Sequence, residues 1–191
     1  MKTIGKKRTG LWITLAVVVI LILWFVGSYN SLVTLSESVD TAWAQVENQY
    51  QRRADLIPNL VNTVKGFAAQ EKDIFLQVTQ MRSAWAGAAT RSEQIAAAKG
   101  MDSAISRLLV VAENYPNLKS NENFLALQSQ LEGTENRITV ERMRYNEVVR
   151  SYNIKIKRIP TVIIARLFGY DAESYFEIEE GTEQVPQVTF E

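Results

Sequence analysis

The alternation of apolar and polar positions divides the chain into two unlike parts. Between Thr9 and Ser36 no residue carries a charge, and Leu11 to Val26 (LWITLAVVVILILWFV) is apolar apart from Thr14. Gly10 to Tyr29 supplies about 20 residues, the length a helix needs to cross a bilayer core. A helix satisfies its own backbone groups, as hydrocarbon requires. Trp12 near one end, and Trp24, Phe25 and Tyr29 near the other, suit the two membrane–water interfaces. A cleaved secretory leader also begins with basic residues. Here, however, the apolar run is long, the exit FVGSYN offers only a weak small-residue pair at Val26 and Ser28, and helical patterning resumes at once. The segment reads as a retained anchor.

Beyond it, apolar residues recur at intervals of three, four and seven, the signature of amphipathic helices. A first helix carries Leu32, Leu35, Val39, Trp43, Val46 and Tyr50 and is expected to end near Arg53. Asp55 would cap a second, with Pro58 tolerated in its first turn. That helix carries Ile57, Leu60, Val61, Val64, Phe67, Ala68, Ile74, Phe75, Val78 and Trp85, and Gly87 ends it. A third opens at Ser92, carries Ile95, Ala98, Met101, Ile105, Leu108, Leu109 and Ala112, and stops at Tyr115-Pro116-Asn117. A fourth spans about 121–157 with Phe124, Leu127, Leu131, Ile138, Tyr145, Val149, Tyr152 and Ile156. A short segment, TVIIARLF, then runs to Gly169.

The expected fold class is all-α: an N-terminal transmembrane helix continuing into an up-and-down antiparallel four-helix bundle. Helices one and two joined as one bent rod, in a three-helix arrangement, is the alternative. The corresponding domains are a cytoplasmic N-terminus (1–9), the transmembrane helix (10–29), an extracytoplasmic bundle (30–170) and an acidic tail (171–191). The tail holds seven acidic residues and no basic one, and reads as irregular with an extended PQVTF end.

Composition narrows the chemistry. The 191 residues include no cysteine and no histidine. Disulfides, thiolate nucleophiles, His-based triads and Glu-x-x-His metal pairs are therefore excluded. The glycines at 66, 87, 100 and 133 are isolated, so no phosphate-binding loop is present. Neither an enzyme nor a cofactor is expected. Lys2, Lys6, Lys7 and Arg8 are four of the 21 basic residues, which leaves 17 against 21 acidic in the rest. A mildly acidic body is a poor nucleic-acid partner. Basic residues bunched before the apolar run put the N-terminus in the cytoplasm and the body outside.

Some polar residues interrupt the apolar stripes. Glu135, Arg142, Asn146 and Asn153 fall on the apolar side of helix four, and Arg53, Glu71 and Arg82 on that of helix two. A charge facing a core is costly unless paired, so these residues are expected to form an internal polar seam, with Glu71 and Arg142 the first pair to consider. Such a seam either fixes register or binds a ligand between the helices. Ala88, Ala89, Ala96 and Ala97 form a small-residue face suited to close packing of neighbours, or simply favour helix. Val162, Ile163, Ile164, Leu167 and Phe168 either contact lipid headgroups or cap the base of the bundle.

Several motifs occur in order: YNSLVTL at 29–35, AW at 42–43, RRADLIPNLVNTVKGFAAQE at 52–71, YPNLKSNENFLALQSQLEGTEN at 115–136, RMRYNEVVRSYN at 142–153, IPTVIIARLFGY at 159–170 and a terminal PQVTF. Together they resemble the LemA family of bacterial membrane proteins. Family motif positions fall on Arg52, Arg53, Asp55, Pro58, Asn59, Glu71, Tyr115, Pro116, Glu135, Asn136, Arg142, Tyr145, Asn146, Tyr152 and Asn153. The resemblance implies a single spanning helix, an antiparallel bundle, no reaction and an accessory or scaffold role in the cell envelope. The bilayer, further copies of the chain and other membrane proteins are the expected partners. By family association alone, these include a membrane metallopeptidase, with envelope protein quality control as the setting. The alternative is an extracytoplasmic sensor domain that binds a small molecule or peptide and signals through another membrane protein.

Overall fold

A computed structural model describes residues 4–176, with side chains from Gly10 onward. Most of the acidic tail and the first three residues lie outside this range. The described residues are almost entirely helical and contain no strand. Six helices occur in order: α1 (Ile4–Lys65), α2 (Lys72–Gly87), α3 (Arg91–Glu113), α4 (Pro116–Lys119), α5 (Glu122–Lys157) and α6 (Thr161–Phe168). The chain forms two compact units. Among the described residues, one takes 4–53 together with Glu132–Glu173; the other takes Ala54–Leu131 and 174–176.

The sequence periodicity explains α1 and α5. Leu32, Val39, Val46, Arg53 and Leu60 stand seven residues apart on α1, as do Trp43, Tyr50, Ile57 and Val64, and all are buried. On α5 the row is Phe124, Leu131, Ile138, Tyr145 and Tyr152. Seven residues are nearly two turns, so each row forms one continuous apolar stripe. Within the first unit, α1 meets α5 and the residues after α6 in reversed order: Tyr29 against Tyr170, Trp43 against Tyr145, Tyr50 against Arg142 and Arg53 against Glu135.

The expected boundary at Arg53 is corrected. The α1 helix continues through Asp55 and Pro58 to Lys65, so Asp55 caps nothing and the bent-rod alternative is nearer in placing these residues on one element. The break falls at 66–71, where the Phe67 and Ala68 N–H groups both donate to the Val64 carbonyl. Glu71 therefore stands in a turn ahead of α2 rather than on a helix face. Likewise Ala88 and Ala89 lie in the α2–α3 turn, leaving only Ala96 and Ala97 of the four on α3. Gly100 permits the close approach of α2 and α3: a Cβ there would meet the Met81 sulfur at 2.6 Å.

The start of α3 is a reciprocal cap. Thr90 Oγ1 accepts from the Glu93 N–H at 3.2 Å, and Glu93 Oε2 accepts from the Ala89 and Thr90 N–H groups at 2.9 and 3.2 Å. Those two backbone donors hold the Glu93 carboxyl below its ordinary 4.5. Because the folded value is depressed, the cap contributes above the unfolded pKa and is lost as pH falls through the folded one. Thr90→Ala is expected to lower stability by about 1 kcal/mol. Glu93→Gln should flatten the acid limb of a pH–stability profile measured by circular dichroism.

Candidate functional site

The interrupting polar residues turn out to be ties between segments. Arg53 occupies a place in the buried α1 row and is 5% exposed. Its guanidinium is bonded to the carboxylate of Glu135 on α5, whose side chain is 44% exposed. A buried guanidinium needs such a partner; here the partner keeps one edge in water, which reduces the cost of burying the pair. Nearer the N-terminal end of α1, Trp43 packs edge-on to Tyr145 at 5.3 Å. The Arg142 guanidinium lies over the fully buried Tyr50 ring, 5.2 Å from its centroid. Asn146 is half-buried one turn further along α5.

In the second unit, Arg82 solves a backbone problem. Pro58 has no N–H, so the Ala54 carbonyl, four residues back in α1, lacks its helical donor. Arg82 Nε donates to that oxygen at 3.1 Å. The same unit holds a chain of side-chain bonds at the α1–α2 turn. Gln70 Nε2 donates to the Tyr115 hydroxyl at 3.0 Å, and that hydroxyl donates to Glu71 Oε1 at 2.9 Å. The expected Glu71–Arg142 pair thus has its members in different units, each engaged within its own. Helical spacing misassigned Glu71 because that residue is not on a helix. Gln70 carries no periodic signal that could have marked it.

Asn153 and Tyr152 hold the segment after α6. Asn153 Nδ2 donates to the Glu173 carbonyl at 2.9 Å and its Oδ1 accepts from the Glu173 N–H at 3.0 Å. The Tyr152 hydroxyl donates to the Asp171 carbonyl at 2.9 Å. Burial, reinforced by Glu173, Tyr170, Asp171 and Asp40, pushes the Tyr152 phenol up from 10.0 to about 12.

The aromatic residues expected at the membrane interfaces divide between contact and exposure. Trp12 and Trp24 are exposed, as are the large apolar side chains from Leu11 to Val26. Phe25 and Tyr29 meet Phe168 of α6, with ring centroids 6.2 and 4.8 Å apart. Of the α6 residues expected to touch lipid or cap the bundle, Ile164 is buried and Val162 half-buried, whereas Ile163, Leu167 and Phe168 are exposed.

Two open grooves flank the α1–α5 contact in the first unit. One, of about 700 Å³, is bordered by Glu37, Thr41, Gln45, Glu141, Arg144 and Glu147. The other, of about 410 Å³, is bordered by Ser31, Thr34, Ser151, Lys155 and Arg158. Among the described residues, no three carboxylates are grouped so as to hold a metal ion.

These ties predict two outcomes. Arg82→Met leaves the buried Ala54 carbonyl open and should cost about 1–3 kcal/mol. In a Pro58→Ala background the cost should shrink, because alanine at that position supplies the missing N–H; thermal unfolding of the two single variants and the double variant in detergent measures this coupling. The Tyr152 contribution is complete below the unfolded value near pH 10 and is lost as pH rises toward 12. Tyr152→Phe should unfold earlier at neutral pH and lose that alkaline slope.

Comparison with known proteins gives the same direction throughout. The chain is 28% identical over 187 residues to magnetosome proteins MamQ 1 and MamQ 2 of Paramagnetospirillum magneticum, covering 84% of this chain and 68% of theirs. It is 22% identical over 157 residues to protein LemA of Metamycoplasma hominis, covering 82% of this chain and 72% of that one. The profile of the LemA family matches residues 42–190, a span that takes in Arg53, Arg82, Glu135, Arg142 and Asn153, and on that match the chain belongs to the LemA family.

Proposed function

We propose that this protein is a single-pass, membrane-anchored interaction protein of the bacterial envelope, with no chemistry of its own. The N-terminus stays in the cytoplasm and the body lies outside the inner membrane. The observation that carries this reading is how the polar residues that interrupt the apolar spacing are used. Arg53, Arg82, Glu71 and Asn153 each bond another segment of the same chain. Groups committed to internal ties hold a shape, and a held shape serves contact.

Further support comes from α1. The stretch through Val26 is long and apolar enough to cross a membrane, and among the described residues its large apolar side chains are exposed. Exposure of that many apolar side chains to water is strongly unfavourable, whereas in lipid it costs nothing. The helix runs without a break past Ser28, which is buried, and that continuity supports retention of the segment as an anchor. Within the first unit, the reversed contact order supports an antiparallel pairing of α1 and α5. The relatives are named for a cellular structure or for the family, and neither name states a reaction. Envelope protein quality control, beside a membrane metallopeptidase, is the setting the family resemblance suggests.

Photo-crosslinking in intact cells, from probes placed at exposed positions of α3 and α5, should capture a second copy or another membrane protein. Recovery of uncrosslinked monomer from every position would refute the proposal, as would turnover of a substrate by the purified chain.

A further inference from the structure

We infer that α6 is a second membrane contact: a short helix lying in the outer headgroup layer of the bilayer that α1 spans, with Ile159, Ile163, Leu167 and Phe168 dipped into the lipid. The inference rests on the reading of α1 as a spanning helix and adds a surface that the spanning segment does not contain.

Position comes first. If Gly10 to Tyr29 spans a hydrocarbon core about 30 Å thick, Tyr29 stands at its outer boundary. Phe168 packs on Tyr29 and on Phe25, so the C-terminal end of α6 sits at that depth. Orientation comes second. The inner face of α6 is sealed by Thr161, Ile164 and Ala165, all buried. The opposite face presents Ile163 at 66% and Leu167 at 71% exposure, four residues apart on one side. Ile159, in the turn ahead of the helix, is 87% exposed, and Phe168, at the C-terminal end beside the inner face, is 48% exposed. In water this would be a contiguous apolar patch with no reason to exist.

Charge is the third observation. In the sequence, Lys155, Lys157 and Arg158 precede this face and Arg166 falls within α6, and no acidic residue lies between Glu147 and Asp171. An apolar helix accompanied by cations and no acids is the pattern of a helix held at an anionic lipid surface. The orientation is fixed by the chain itself. Gly169, at φ 73°, ends α6 in the left-handed conformation, and the Tyr170 N–H returns to the Ala165 carbonyl at 2.9 Å. Tyr152 and Asn153 then hold Asp171 and Glu173.

Because the chain has no cysteine, single labels can be placed without a background. The full chain is reconstituted in vesicles of phosphatidylcholine and phosphatidylglycerol, with one fluorophore at Ile163→Cys, Leu167→Cys, Leu21→Cys or Met143→Cys. Each is challenged with a lipid-borne nitroxide quencher and with a water-soluble one. Leu21 reports the span, and the exposed Met143 stands beside Arg142, at the level of Tyr50, about 30 Å along α1 from Tyr29. Labels at 163 and 167 should show a ratio of lipid to aqueous quenching about fivefold above that at 143. Lipid quenching at 21 with free aqueous access at 163 and 167 overturns the contact while leaving the anchor standing. Shielding at 163 and 167 from both quenchers, with disulfide formation between chains of the same variants left unlabelled, assigns the face to a second copy and also overturns it. Absence of lipid quenching at 21 removes the anchor reading, and the inference with it.

Discussion

Proline cannot donate a backbone hydrogen bond, so a helix that passes through Pro58 leaves the Ala54 carbonyl open in a buried place. Arg82, on the next helix, closes it. Because that defect is repaired, α1 does not break where its sequence suggests it should. One helix therefore carries both the uncovered apolar stretch and the two seven-residue rows that are buried further along. A break at Pro58 would free Ile57, Leu60, Val61 and Val64 from the periodicity that starts at Leu32. The placement of Arg53 opposite Glu135 depends on the same row, since Arg53 stands in line with Val46 and Leu60.

Much of this was legible from spacing. The apolar members of the α1 and α5 rows are residues named from periodicity alone, because burial of one helix face is a local property written at intervals of three, four and seven; on α3 the same reading missed the buried Ala104 and named Leu109, which is half-buried. The stop at Gly169 and the turn before Thr161 were equally readable, since glycine and proline act where they stand. The errors share a cause. Asp55 and Pro58 form a plausible helix start locally, and only an arginine 24 positions beyond Pro58 makes the continuous helix tolerable. Glu71 looked helical because its neighbours are; its bond to Tyr115 joins two turns that are far apart in sequence.

The polar interruptions were visible as departures from pattern, but their partners were not. Periodicity places a residue on a face without saying what lies across from it. Opposite charges invited a Glu71–Arg142 pair, whereas some of the observed partners are uncharged: a carbonyl for Arg82 and a peptide group for Asn153. That preference has a physical basis. A buried ion pair needs both charges desolvated, while a carbonyl or a ring face accepts a guanidinium with one charge to bury. In the Arg53–Glu135 ion pair, the acid remains partly in water.

The ties at the end of α5 show why such residues differ in kind from the apolar rows. Apolar burial is without direction; it would be nearly as well satisfied by α6 rotated by one residue. Rotation by one residue is about 100° of helix, enough to put Ile163 in the place of Ile164, Ile164 in that of Ala165, and Ala165 outside, with little change in apolar area. Asn153 accepts from and donates to a single residue's backbone, that of Glu173, and Tyr152 selects the carbonyl of Asp171. These bonds have direction and permit one register. Together with the left-handed turn at Gly169, they decide which of two nearly equivalent apolar faces the protein keeps and which it presents.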